Sequence, residues 1–230
     1  WILEKVLAQG EEELRRIVTA VGASMAWVNT WGRSTPWYQQ IRGSEPVSPI
    51  RFHVGGASWG MACNAIHFLD LMCWWTGEEL VDVDAAGLDD EWLIGKRPGF
   101  MEISGELVAR YSGGSTGVLR AGRPPDAGTP AGWDVVDALD VEWSSGHWRI
   151  KRPHSEEDGL AIAADGRRLP GRIERQSERS ASLIDGLLDG SGCSLTDLPT
   201  SAAQHGVLIR ALLARWREVS GPDVECVPIT

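Results

Sequence analysis

The densest run of chemically able side chains is Met61-Ala62-Cys63-Asn64-Ala65-Ile66-His67-Phe68-Leu69-Asp70-Leu71-Met72-Cys73-Trp74. On a helix, three-residue steps stack Asn64, His67 and Asp70 on one stripe, while Phe68, Leu71, Met72 and Trp75 occupy other faces. A polar stripe on so apolar a helix needs partners. An imidazole, titrating at about pH 6.5, can give or take a proton there. The other reading of His67 is a core histidine bonded to backbone or to Asp70. Cys63 and His67 stand four apart, a spacing at which two helical side chains can share a metal. A zinc site needs further ligands, and no CxxC or HExxH pattern supplies them, so no metal is expected. There is no GxSxG elbow, and Gly55-Gly56-Ala57-Ser58-Trp59-Gly60 lacks the Lys and Ser/Thr of a phosphate loop.

Lys5 follows directly on the apolar Trp1-Ile2-Leu3. If that run is a strand of a parallel sheet, Lys5 sits at its carboxyl edge, where open α/β sheets bind ligands. A desolvated lysine there could share a proton with a substrate hydroxyl. A surface lysine paired with Glu4 is the alternative. Asn29 and Arg33 are open in the same way, as loop polars or as ligand contacts.

The elements that must position these groups are legible from periodicity. A strand end at residues 1–7 leads to a helix over Glu11 to Val21, with Leu14, Ile17, Val18 and Val21 at helical spacing and three glutamates in its first turn. Met25 to Asn29 reads as a second strand, so the opening spells a strand-helix-strand unit. Pro36 starts a helix to about Arg42, and Gly43-Ser44-Glu45-Pro46 is the best domain boundary. Beyond it, Ile50 to Val54 reads as a strand, Met61 to Trp75 as a helix, and Met101 to Tyr111 as a strand of period two. Gly113-Gly114 and Ser144-Ser145-Gly146 are the turns of two antiparallel hairpins, with strands from Ser115 to Ala121, Trp133 to Trp143 and His147 to Lys151. Gly122 to Gly132 and Arg152 to Arg168 read as surface loops. Thr200 to Val219 is a helix, and Val224 to Ile229 a closing strand.

Composition narrows the function classes. In 230 residues, Lys plus Arg number 22 against 32 Asp plus Glu, a formal charge of -10 that offers nothing to a phosphate backbone or an anionic membrane. Nucleic acid and membrane are therefore not expected partners. Cys63, Cys73, Cys193 and Cys226 form no disulfide framework and suit a cytoplasmic protein. Val135, Val136, Leu139 and Val141 suggest a strand apolar on both sides, hence a homodimer or tetramer through an open sheet face.

Leu3-Glu4-Lys5-Val6-Leu7, then Val28-Asn29-Thr30-Trp31-Gly32-Arg33 with Pro36, then Gly60 to Leu71 resemble, in order and spacing, the glucose-fructose oxidoreductase, inositol dehydrogenase and MocA family. The resemblance covers nearly the whole chain. It implies an α+β fold, with residues 1–46 the remnant of a Rossmann parallel sheet. Residues 47–230 would form an open, mostly antiparallel sheet domain with helices on one face. It also implies an oxidoreductase that moves hydride between NAD or NADP and a hydroxyl-bearing carbon of a sugar, nucleotide sugar or cyclitol. Lys5, matching the lysine of the family's Glu-Lys-Pro motif with Val6 in place of proline, and His67 would be catalytic. Asn64, Cys63 and Trp59 would face substrate, and Glu4, Lys5, Asn29 and Arg33 the cofactor. Where the family often has Asp four residues before the histidine, this sequence has Cys63. The Gly-rich dinucleotide fingerprint is not in the sequence, so the chain is expected to be N-terminally truncated and to need the missing half for activity. The alternative is a non-catalytic sugar-binding or dimerisation module.

Overall fold

The computed structural model describes all residues except 23, 44–46, 126–129, 132–135, 145, 152–158 and 191, and the side chain of residue 176. Its elements run β1 (Ile2–Leu3), α1 (Glu11–Val21), β2 (Trp27–Val28), a 3-10 turn (Trp31–Ser34), α2 (Pro36–Arg42), β3 (Ile50–Gly56), α3 (Met61–Thr76), β4 (Leu80–Asp84), β5 (Leu93–Ile94), β6 (Met101–Glu102), β7 (Gly105–Tyr111), β8 (Thr116–Ala121), β9 (Val136–Trp143), β10 (Gly146–Lys151), β11 (Gly159–Ala163), β12 (Arg168–Gly171), α4 (Gln176–Leu188), β13 (Thr196–Asp197) and α5 (Leu198–Ser220). The fold is α+β, with parallel and antiparallel pairs in its sheets.

A small sheet, β1-β2-β13, forms where the strand-helix-strand pattern predicts it: β1 and β2 pair in parallel, and β13 closes the far side antiparallel. The large sheet has the order β12-β11-β10-β9-β3-β8-β7-β4, antiparallel except for the parallel pair of β3 and β8. Both expected hairpins are present, β7 with β8 and β9 with β10; Ser145 lies outside the described residues. On one sheet face Phe52, Val54, Leu107, Leu119, Leu139, Val141 and Ile150 are buried in a single core with most of α3 and with Leu208 and Leu212 of α5. α3 is apolar on nearly every side, as a helix enclosed by sheet and helices must be. Gly60 and Gly77, at φ 72° and 74°, start and stop it in a conformation that suits residues without Cβ.

Trp37 ties α2 to the sheet. Gly159 and Gly171 are register partners across β11 and β12, and a Cβ on either would stand 2.5 Å and 2.2 Å from the Trp37 ring. Two glycines thus cut a slot for one indole, whose Nε1 donates to the Leu169 carbonyl at 3.3 Å.

Several expectations need correction. The Arg152 to Arg168 stretch is not a loop throughout: residues 152–158 lie outside the described residues, but 159–163 form β11. Its Leu160 and Ile162 alternate with buried Gly159, Ala161 and Ala163, and those small inward residues hide the apolar face from a periodicity reading. Val224 to Ile229 is not a strand; it runs extended along two neighbours, with Val227 donating to Gln9 and Pro228 accepting from Met101. The Met101 to Tyr111 strand is two strands, β6 and β7, broken at Ile103-Ser104. β9 is not apolar on both sides. Val136, Leu139 and Val141 all point into the core, because a register shift against Gly55/Gly56 adds a residue between the first two. Val135, Trp133 and residues 126–129 and 132 of the Gly122 to Gly132 stretch lie outside the described residues, as do residues 44–46 of the expected boundary. α4, β12 and β13 have no counterpart in the sequence reading.

Candidate functional site

Lys5 stands just past β1, where the pair β1–β2 ends. Its Nζ donates to the Cys63 carbonyl at 2.8 Å and to Asn64 Oδ1 at 2.8 Å. Asn64 is itself held, its Nδ2 donating to the Trp59 carbonyl at 2.9 Å. So the first turn of α3, the edge of the small sheet and the segment leading from β3 into α3 meet at one ammonium group. They bound a cavity of about 180 Å³, lined by Lys5, Cys63, Asn64, Lys96, Arg97, Phe100, Met101 and Glu102, with Gly95, Ala131 and Thr230 completing the wall. The loop between β5 and β6 supplies the cations. The chain's last residue joins through Thr230 Oγ1, which accepts from Arg97 Nη1 at 3.0 Å.

Glu102 faces Lys5 across this site and was not found from the sequence, where it reads as the solvent side of an alternating strand. It is 4% exposed, and its Oε2 accepts the Ala62 N–H at 2.8 Å. The break after β6 explains this: Gly105, at φ 108°, packs so tightly on Gly87 that a Cβ would lie 2.6 Å from its carbonyl oxygen. Only a glycine permits the bend that ends the alternation and leaves Glu102 turned inward. Gly105 in an otherwise regular strand pattern was the available signal.

Electrostatics follow from enclosure. Burial lowers the pKa of Lys5; negative charge at Cys63 or at Glu102 opposes this, and of the two the Cys63 thiol is uncharged at physiological pH. Burial raises that of Glu102, opposed by its bonds to Cys63 and Ala62 and by Lys5. Burial, reinforced by the charge of Glu102, pushes the Cys63 thiol up to about 12, so it stays a neutral thiol at physiological pH. The cavity therefore places an amine whose pKa is lowered beside a carboxyl group whose pKa is raised. That pair can hold a hydroxyl group and accept its proton.

The other expected residues are distributed more widely. His67, one turn beyond Asn64 on the same stripe, is buried with its ring 5.3 Å from that of Trp31 and does not line the cavity. The Trp59 indole is buried, its Nε1 donating to the Arg120 carbonyl at 2.7 Å, and it acts on the site through the backbone oxygen that holds Asn64. Glu4 accepts from Asn29 Nδ2 at 3.0 Å. Arg33 is bound two-pronged to Asp70, at 3.1 Å and 2.7 Å. Among the described residues no group of three His, Cys, Asp or Glu is arranged to hold a metal. No described helix is long and apolar enough to cross a membrane.

Fold and site together define an α+β protein with a lysine-centred cavity between the end of β1, the first turn of α3 and the β5–β6 pair, and solved structures share that fold. Among them are UDP-N-acetylglucosamine 3-dehydrogenase GnnA from Acidithiobacillus ferrooxidans, 14% identical, TM-score 0.61, over 94% of this chain and 69% of that one; a 3-ketoreductase from Actinomadura kijaniata in complex with TDP-benzene and NADP, 13% identical, TM-score 0.62, over 92% and 68%; and aldose-aldose oxidoreductase from Caulobacter crescentus complexed with glycerol, 15% identical, TM-score 0.59, over 94% and 68%. No family model matches the sequence, and no curated protein matches it.

A dinucleotide's pyrophosphate has no cradle among the described residues. Two helix N-termini near the site could in principle receive it. At α3 the Ala62 N–H is taken by Glu102. At α1 the first turn carries Glu11, Glu12 and Glu13, which repel phosphate, and Gly10 is packed against the Glu225 carbonyl. Neither of these helix N-termini is open to the phosphates of a cofactor.

Proposed function

We propose that this chain carries the substrate side of an oxidoreductase acting between NAD or NADP and a hydroxyl-bearing carbon of a sugar, nucleotide sugar or cyclitol. The observation that carries the reading is the double anchoring of Lys5 by Cys63 and Asn64 in the wall of that cavity. Partial burial of an amine costs free energy, and two neutral oxygens position it without taking its charge. In this reading Lys5 and Asn64 bind the reacting hydroxyl, and Lys5 takes its proton. His67, one turn along the same stripe, is the second proton-handling group. Glu4, Asn29 and Arg33 flank the side on which the cofactor would lie, with its phosphates held by residues outside this chain. Lys96 and Arg97 favour an anionic ligand, hence a nucleotide sugar over a neutral polyol.

The test is calorimetric titration of the chain with UDP-N-acetylglucosamine, glucose and myo-inositol, followed by absorbance assay with excess NAD and NADP. Saturable binding of the nucleotide sugar, lost in Lys5→Ala, is expected, and turnover, lost in His67→Asn, once the residues that hold the cofactor's phosphates are supplied. Equal binding by wild type and Lys5→Ala would overturn the reading. Binding without turnover in a chain so completed would select the non-catalytic module.

A further inference from the structure

The geometry points to Glu102 as the positioning residue that sets the protonation of Lys5, a task the thiol at position 63 cannot perform. This rests on the reading of Lys5 as the proton-handling group, but it concerns a different residue and is measured differently. Three observations carry it. Glu102 and Lys5 line the same cavity. The carboxylate is fixed by the Ala62 N–H, at the same turn of α3 whose Cys63 carbonyl and Asn64 side chain fix the ammonium, so cation and anion are held by adjacent residues of one helix. And Cys63, the other acidic group in this wall, is an uncharged thiol until far above neutral pH.

The remaining charges near Lys5 do not substitute for it. Glu4, on its own strand end, is exposed and bonded to Asn29. Arg97, from the loop between β5 and β6, acts in the opposite sense, and so does Lys96, whose charge lines the same cavity. His205 of α5 is neutral, its pKa pushed down to about 4 by burial. Glu102 is thus the buried anion that stabilises the ammonium form. Without it, burial and Arg97 act on Lys5 unopposed from that side, and its amine becomes neutral at lower pH.

The sequence has three lysines, Lys5, Lys96 and Lys151, which makes the test clean. The intact chain is labelled with trace acetic anhydride across a pH series, and the acetylation of Lys5 relative to exposed Lys151 is read by mass spectrometry. In Glu102→Gln the Lys5 midpoint falls by about one unit, raising its neutral fraction near pH 7 about tenfold. Glu102→Asp, which keeps the charge one methylene further back, falls less, and Cys63→Ala leaves the midpoint in place. A Lys5 midpoint in folded Glu102→Gln equal to that of wild type would overturn the inference; should that variant not fold, an unmoved midpoint in Glu102→Asp together with a fall in Cys63→Ala would do so. Because the readout needs neither ligand nor turnover, a shifted midpoint in a chain whose nucleotide-sugar binding does not depend on Lys5 would sink the proposed function and leave this inference standing.

Discussion

Arg33 and Asp70 form a two-pronged ion pair in which the carboxylate is wholly buried and the guanidinium side chain only 16% exposed. Thr196 Oγ1 donates to the same carboxylate at 2.6 Å, so Asp70 joins the 3-10 turn, α3 and β13 at one point. The shared oxygen places the small sheet against α3, and with it the end of β1 that carries Lys5. Removing Arg33 would leave a buried charge uncompensated. Arg33→Ala is expected to cost about 3–5 kcal/mol in urea unfolding. Replacing both partners, Arg33→Met with Asp70→Leu, should recover most of that. A loss under 1 kcal/mol in the single variant would show that Arg33 is not a structural partner and return it to the ligand side.

Trp37 and its paired glycines give a second stability prediction. Gly171→Ala would drive a methyl into the indole at a site where nothing flexible can yield, since the ring is fixed by its bond to Leu169 and by stacking on Tyr38 at 5.9 Å. An overpacking cost of about 1–3 kcal/mol is expected. Trp37→Phe in the same background should relieve part of it. A fully stable Gly171→Ala protein would mean that the slot is not closed.

How much of this was legible in the sequence depends on whether local pattern or distant packing decides an element. α1, α2, α3 and the two hairpins were readable because their apolar spacing, Pro36, Gly22 and Gly113-Gly114 are local signals. α5 was readable for the same reason, although it begins at Leu198, earlier than the periodicity suggests, because Asp197 caps it through the Thr200 N–H at 2.9 Å. β11 and β12 were not, since Gly159 and Gly171 are small to receive Trp37, a residue more than a hundred positions away. At the site, Lys5 and Asn64 could be named but not joined, and Glu102 was hidden because a bend at Gly105 reversed its side.

The outer face of the large sheet is proposed as a homodimer interface. Val108 and Val118 are register partners there, bordered by the Arg120–Glu106 pair at 2.5 Å and by Arg110 with Asp82. A short apolar strip between complementary charges suits a two-fold contact with a second copy. Light scattering of the wild type at micromolar concentration should give a dimer mass. Val118→Lys should give a monomer with an unchanged melting temperature. A monodisperse wild-type monomer would remove the proposal.

His205 gives a pH prediction with a definite sign. It is buried in α5, its Nδ1–H donating to the Ser201 carbonyl at 2.8 Å, and burial holds its pKa down to about 4. In the unfolded chain an imidazole titrates at about 6.5. Between these values the unfolded state binds a proton that the folded state refuses, so stability falls as pH drops from about 6.5 towards 4 and is flat above. The full effect is on the order of 3 kcal/mol. Urea midpoints measured at pH 7.5 and 5 should therefore differ in the wild type and converge in His205→Leu, apart from the carboxylates that both share. Among those is Glu78. Burial raises its pKa, but donors from Ser115, Ser48 and Gly113 outweigh that and hold it below the ordinary carboxylate range. Its contribution is present above pH 4.5 and lost only below, so the pH 5 measurement still isolates the histidine. An equal drop between pH 7.5 and 5 in both proteins would show that His205 is not the buried group being charged.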